Sequence, residues 1–304
     1  MTEDIKANRR RGALILGFSV VVTTIVVTLI FATTGRPVIG AVIGVLIGTA
    51  LAAFAYHRGL RIALRVGRAR PTGPEEQPRL HNLIEGLRIT AGLQMPGVFV
   101  VDDPAPNAFV AGCRRDESAL VVTTGLLQSL ERIELEAVIA HLLTRIRSRE
   151  VMVSTLAMTL IAGPVLLAEL SLRTRNWNGG RELRRGDRDQ SGSRTRVMGL
   201  IGAAPGVLAP ILAPLVRAAA PPQRVLLADL GACQLTRFPP GLIRSLCILD
   251  GEVTVTHAAT AATAHLWFAQ PMSGIGDEGR LRSLHRLFAA HPPLEERIAL
   301  VREL

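Results

Sequence analysis

The sequence predicts an α+β, mainly helical fold in which a transmembrane helical hairpin precedes a domain with a small sheet. Three observations carry this expectation. Two long uncharged apolar runs come first, short β-branched runs bounded by turn residues follow, and apolar stripes at helical period fill much of the remainder.

The first run, Gly12 to Thr33, carries no charge and is rich in Val, Ile and Leu. As a helix rising about 1.5 Å per residue it crosses a hydrocarbon core of about 30 Å. It is longer than the core of a cleavable signal peptide, and no A-x-A-like site follows it. A short turn from Thr34 to Pro37 leads into a second uncharged run that ends at Tyr56 and places Gly40, Gly44 and Gly48 at four-residue spacing. Small residues at that spacing let two helix backbones approach closely in lipid, so the spans, about 12–33 and 37–56, are expected to pack as a hairpin. Lys6 and Arg9–Arg11 precede this hairpin and Arg58, Arg61, Arg65, Arg68 and Arg70 follow it, with only Arg36 in the turn. The positive-inside rule then sets both ends in the cytoplasm and makes the chain a multi-pass protein of the cell membrane.

Residues 1–57 form the N-terminus and hairpin, and residues 58–304 are read as one domain. Pro78 opens an amphipathic helix with Leu80, Leu83, Ile84 and Leu87 on one side. Val98 to Val101 and Leu120 to Thr123 read as strands of a small sheet, with an irregular edge between them over Asp103 to Phe109. A further helix begins near Ile133, and another runs from about Gln223 to Thr236; the two are expected to face each other. Two more apolar segments, 151–170 and 197–216, interrupt the domain and flank a basic, Gly- and Ser-containing loop, 171–196. Prolines break both segments, and crossing the bilayer would set the arginine-rich loop outside, against the charge rule. Shallow insertion, re-entrant packing or burial against the cytoplasmic domain would keep the loop inside, and these stand beside spanning as alternatives.

The chain has 304 residues and a formal charge of +10, and Lys6 is its only lysine. A basic balance signals phosphate binding only where the charge gathers on a recognisable module, and none is present, so nucleic acid is not an expected partner. The arginines lie instead beside apolar runs, where anionic headgroups of the lipid bilayer would meet them. Three cysteines, Cys113, Cys233 and Cys247, have no C-x-x-C spacing and read as small core residues in a reducing compartment. His81, His257, His265 and His285 lack a second ligand at metal spacing and read as surface or satisfied core residues.

The string from Glu134 to Val151 resembles the active-site helix of HtpX-type membrane zinc metalloproteases, which are related to the CAAX prenyl endopeptidases. The likeness extends through Asp102–Phe109, Arg224–Arg237 and the closing His291–Ile298 signature, covering nearly the whole chain in the family's order. It implies a zincin-like metalloprotease domain. In such a domain two histidines of an H-E-x-x-H motif bind zinc from one helix face while the Glu polarises the attacking water.

Aligned on that motif, the first histidine is His141, but the Glu position is Leu142 and the second His position is Arg145. The family's third ligand, a Glu after an Arg in the later helix, corresponds to Val225, and only Asp229, which supports the site from behind, is kept. Catalytic zinc needs three protein ligands, and His141 supplies one nitrogen, so no cofactor is expected. The resemblance with this departure implies a pseudoprotease that binds a polypeptide client or an active protease homologue in membrane-protein quality control. An active zinc metalloendopeptidase with non-standard ligands is the alternative.

Three subsidiary expectations follow. Arg145 either pairs with Asp229 or extends to solvent while Asp229 pairs with Arg224 or another neighbour. Glu134, Glu136 and Glu150 read as solvated surface acids. Asn107 and Phe109 match the edge strand along which family members lay an extended substrate by strand addition.

Overall fold

The computed structural model describes residues 2–33, 35–114, 116–160, 221–251, 256–260, 263–270 and 292–304. Segment 197–216, loop 171–196, the part of segment 151–170 beyond residue 160, His285 and His291 lie outside them.

Two antiparallel helices, α1 (Thr2–Ala32) and α2 (Pro37–Val66), form the hairpin, and both are long and apolar enough to cross a membrane. Pro37 starts α2 at a position where a missing N–H is harmless. Its buried stripe is made of small residues alone: Gly40, Gly44, Gly48, Ala52, Ala55, Gly59 and Ala63. A Cβ on Gly44 would lie 2.7 Å from the Thr24 Cα, and one on Gly48 3.0 Å from the Val20 Cα, so the backbones touch where the G-x-x-x-G spacing predicts. On the other side Leu14, Val21, Leu29, Val38, Leu46 and Phe54 are exposed, an apolar surface suited to lipid. Inside α1 the hydroxyls of Ser19, Thr23, Thr24 and Thr28 donate to carbonyls three or four residues back, which satisfies them without water. Replacing Gly44 by Leu is expected to destabilise the chain by about 1–3 kcal/mol through overpacking, read as a lower Tm in detergent micelles. The same change at Gly17, where an added Cβ meets nothing within 4 Å, is expected to be neutral.

Helix α2 does not stop at the apolar boundary. It continues past Tyr56 with Arg58, Arg61 and Arg65 exposed, and its far end reaches the sheet. Ala63 packs in one cluster with Phe109, Val101 and Trp267, and a Cβ at Gly67 would lie 2.8 Å from the Phe109 ring.

The sheet comprises β1 (Arg70–Pro71), β2 (Gly97–Val101), β3 (Ala108–Ala111) and β4 (Ala119–Thr123) in the order β1-β2-β4-β3. Strands β2 and β4 are parallel, while β1 and β3 pair antiparallel on the two sides. One face is covered by α3 (Pro78–Ala91) and α5 (Arg132–Arg147), whose predicted apolar stripes, Leu80, Leu83, Ile84 and Leu87 with Leu135, Val138, Ile139, Leu142 and Leu143, are buried in one core with Val100, Leu120 and Val122. Between β4 and α5 lies the short α4 (Thr124–Ser129), capped by the Thr123 hydroxyl, which accepts from the Leu126 amide at 3.1 Å.

A left-handed Arg149 (φ 59°) ends the turn after α5 and starts α6 (Glu150–Leu160). The described part of this apolar segment is largely buried by the chain: Val153, Leu156 and Ala157 pack with Ile15 of α1, Ala55 of α2 and Cys113. Then α7 (Pro222–Thr236) faces α5 as expected, and α8 (Pro239–Gly251) and α9 (Leu294–Arg302) close over the same core. Of the cysteines, Cys113 and Cys233 are buried, but Cys247 is exposed on α8, contrary to the core assignment.

Candidate metal centre

His141 and Arg145 stand one turn apart on α5, and Val225 and Asp229 one turn apart on α7, so each pair shares a helix face. The two faces meet. A Cβ on Gly231 would lie 2.4 Å from the Thr144 Cγ2, which shows how closely α7 lies against α5 beside the site. His141 Nδ1–H donates to the Asp229 carboxylate at 2.7 Å, and both side chains are fully buried. That bond fixes the tautomer and leaves Nε2 with a free lone pair, the arrangement by which a carboxylate orients a metal-binding histidine. Nε2 is buried and has no hydrogen-bond partner among the described residues.

The remaining positions do not extend this nitrogen into a donor set. Leu142 and Val225 are buried hydrocarbons. Arg145 is 1% exposed, its Nη1 donates to the Leu266 carbonyl at 2.9 Å, and its Nε lies 3.3 Å from a Glu150 carboxylate oxygen. This is an ion pair without a well-directed hydrogen bond, since Nε finds no acceptor in line. Zinc needs three nitrogen, oxygen or sulfur donors from the protein, and these four positions offer one. Among the described residues no group of three or more His, Cys, Asp or Glu is placed to hold a metal ion.

Both expected arrangements of Arg145 are corrected. It neither pairs with Asp229 nor reaches solvent. Asp229 does pair with another neighbour, as the second arrangement held: it takes a bidentate pair from Arg297 of α9, Nε to Oδ2 and Nη2 to Oδ1, each at 2.8 Å. Planar guanidinium matches carboxylate geometry in this way, and at zero exposure the two charges compensate each other away from water. Arg297 also donates to the Phe268 carbonyl at 2.8 Å and lies 4.4 Å above the Phe268 ring. Glu150 is corrected too: it is buried, as is Glu134, whose carboxylate lies 3.9 Å from the Arg244 guanidinium; Glu136 is partly buried.

Burial holds the His141 imidazolium down to about 4, against the pull of Asp229. It likewise pushes the Asp229 carboxyl up, but Arg297 and His141 together outweigh it and bring that group down to about 2. His265 is also buried; it donates Nε2–H to the Ser154 carbonyl at 3.0 Å, and burial lowers it to about 4. At neutral pH the site therefore contains neutral histidine, anionic Asp229 and two guanidinium ions.

Two histidines whose folded values lie below 6.5 make the fold sensitive to acid. The unfolded chain gains protons first, so their contribution is intact above about pH 6.5 and declines as pH falls toward 4. Glu150, raised by burial, acts in the opposite sense. Unfolding free energy in detergent is expected to drop across this window by on the order of a few kcal/mol. A joint His141→Gln and His265→Gln variant is expected to flatten the profile.

Asn107 and Phe109 lie on and beside β3, and the structure buries both. The outer edge of β3 is occupied by the chain itself: Phe109 bridges to Trp267, and the Phe268 amide donates to the Ala108 carbonyl at 2.7 Å. His81 is partly buried with Nδ1 against the Gln77 carbonyl, and His257 is exposed. Arg297 and Phe268 were not singled out from the sequence, and Glu150 was read there only as a surface acid. Only Arg297 had a signal there, its place in the closing signature.

Residues 74–304 match the sequence profile of peptidase family M48. A protease HtpX homologue of Dictyoglomus turgidum is 36% identical over 264 residues, covering 87% of this chain and 82% of the relative. Those of Listeria monocytogenes serotype 4a and Streptococcus uberis are each 31% identical, over 97% and 99% of both chains respectively. With its M48 profile, its apolar N-terminal hairpin and its small mixed sheet, the chain belongs to the HtpX-type membrane metalloproteases of peptidase family M48.

Proposed function

We propose that this chain is a membrane-bound pseudoprotease of the HtpX type, which does not hydrolyse peptides and binds a polypeptide client or an active protease homologue in membrane-protein quality control. One observation carries the proposal: the buried Arg145 guanidinium, at the position of the second zinc histidine, is held by Glu150 and the Leu266 carbonyl. A guanidinium stays protonated in proteins and has no lone pair to give, so it repels a divalent cation where the family needs a donor. Leu142 adds no carboxylate to activate water, and Val225 adds no third ligand. Accordingly the chain works without zinc, with residues 1–57 in and beside the bilayer and the domain of residues 58–304 on the cytoplasmic side, where the arginines flanking the hairpin favour it.

The purified full chain in detergent micelles is expected to carry far less than one zinc per molecule by elemental analysis and to leave casein intact with or without chelator. Stoichiometric zinc with chelator-sensitive cleavage would overturn the proposal. It would favour the second reading, an active zinc metalloendopeptidase with non-standard ligands. That reading draws on the buried, unpartnered Nε2 of His141, oriented by Asp229 as a ligand would be.

A further inference from the structure

The outer edge of β3 is the place where an extended polypeptide would add a strand, and residues 266–269 already lie there. Their backbone is held much as a bound peptide would be. The Leu266 carbonyl receives Arg145 Nη1 at 2.9 Å, the Phe268 amide donates to the Ala108 carbonyl at 2.7 Å, and the Phe268 carbonyl receives Arg297 Nη1 at 2.8 Å. Ala269 is gripped at both ends by one side chain. Asn107 Oδ1 accepts from its amide at 3.1 Å and Asn107 Nδ2 donates to its carbonyl at 3.0 Å, so the amide side chain acts as one more residue of backbone ladder.

The Trp267 and Phe268 side chains pack against different neighbours. Trp267 meets Phe109 at a 58° tilt with ring centroids 4.7 Å apart, while Phe268 lies edge-on to the His141 ring at 4.8 Å and beneath Arg297. The Phe268 ring thus sits against the nitrogen-bearing face of the former metal site. The Leu266 carbonyl meets a fixed positive charge on the face that carries the motif, as a substrate carbonyl meets the metal in a working zincin.

We propose that residues 266–269, which leave a short 3-10 turn (Ala264–Leu266) through the extended Trp267, are an internal peptide ligand that fills the groove and must be displaced before another polypeptide binds there. The displacing ligand is an extended polypeptide that places an aromatic or large apolar side chain between His141 and Arg297. Arg145 is its carbonyl-holding residue and Asn107 its backbone clamp. This rests on reading the groove as a polypeptide site.

Amide hydrogen exchange of the full chain in detergent micelles, read at Phe268 and Ala269 and at Val121 and Val122 of β4, tests it together with binding of fluorescein-labelled reduced casein. The Phe268 and Ala269 amides are expected to exchange by an opening at least tenfold more frequent than that of β4. Saturating casein is expected to abolish their protection while β4 stays protected, and Phe268→Ala, which takes the internal ring out from between His141 and Arg297, to tighten casein binding at least tenfold. If Phe268 and Ala269 exchange only together with β4, in the unaltered chain and in the variant alike, the segment is a fixed strand and the inference fails while the polypeptide-binding function stands. If the segment opens on its own and casein still does not bind, the polypeptide reading of the groove fails and the inference with it.

Discussion

Introducing Leu142→Glu, Arg145→His and Val225→Glu together is expected to raise zinc uptake from a trace to about one ion per chain. The frame for this is present. His141 is already oriented by Asp229, Arg145 is one turn away on the same face of α5, and Val225 is one turn before Asp229 on the facing side of α7. Nitrogen and oxygen donors at the Arg145 and Val225 positions complete a two-His, one-Glu set, and a carboxylate in place of Leu142 would stand ready to polarise bound water. The exchange also removes the cation beside Glu150, which is 4% exposed. An abandoned carboxylate there takes up a proton or destabilises the fold. A fourfold variant that adds Glu150→Gln is therefore expected to be more stable than the threefold one by about 1–3 kcal/mol. Elemental analysis and thermal unfolding in micelles check both statements. Absence of zinc in a folded fourfold variant would mean that α5 and α7 do not present these positions to a common point.

Removing Asp229 is expected to be the most damaging single substitution in the domain. Asp229→Asn leaves the Arg297 guanidinium buried beside a neutral amide and weakens the bond that orients His141, with an expected loss of about 3–5 kcal/mol. Arg297→Met strands the carboxylate instead and is expected to cost a similar amount. The double variant, Asp229→Asn with Arg297→Met, removes both charges and is expected to recover part of that loss. A double-mutant cycle by denaturant unfolding separates the pair energy from the packing of α9. Simple additivity of the two single losses would show that Asp229 and Arg297 do not stabilise each other.

Periodicity made much of this fold legible. Four-residue glycine spacing announced the contact between α1 and α2, and the apolar stripes of α3 and α5 mark the faces that are buried. Residue identity made the motif positions legible as well, because leucine and valine have no donor atoms in any conformation. Their partners were not. Arg145 and Glu150 are five residues apart, a separation that places side chains on different faces of a continuous helix, and they meet only because the chain turns through the left-handed Arg149. Asp229 and Arg297 are separated by 68 residues with no local pattern to connect them. Trp267 and Phe268 stand in too short a stretch to show strand alternation, so cover for the edge of β3 left no trace in hydropathy. Buried Glu134 and Glu150 show the same limit, since charge alone reads as solvent exposure until a partner or neighbouring wall is known.

One bond gives the hairpin a role beyond anchorage. The Asn8 amide of α1 donates to the Ser148 carbonyl just after α5, at 2.6 Å, and Gly12 and Ile15 of the same helix lie against Met152 and the α6 cluster. A soluble fragment trimmed of its first helix would bare that carbonyl and the apolar wall next to it. Metal or peptide affinities measured on such a fragment would describe a motif helix with a frayed end, and only the intact chain in a micelle or bilayer keeps that end tied down.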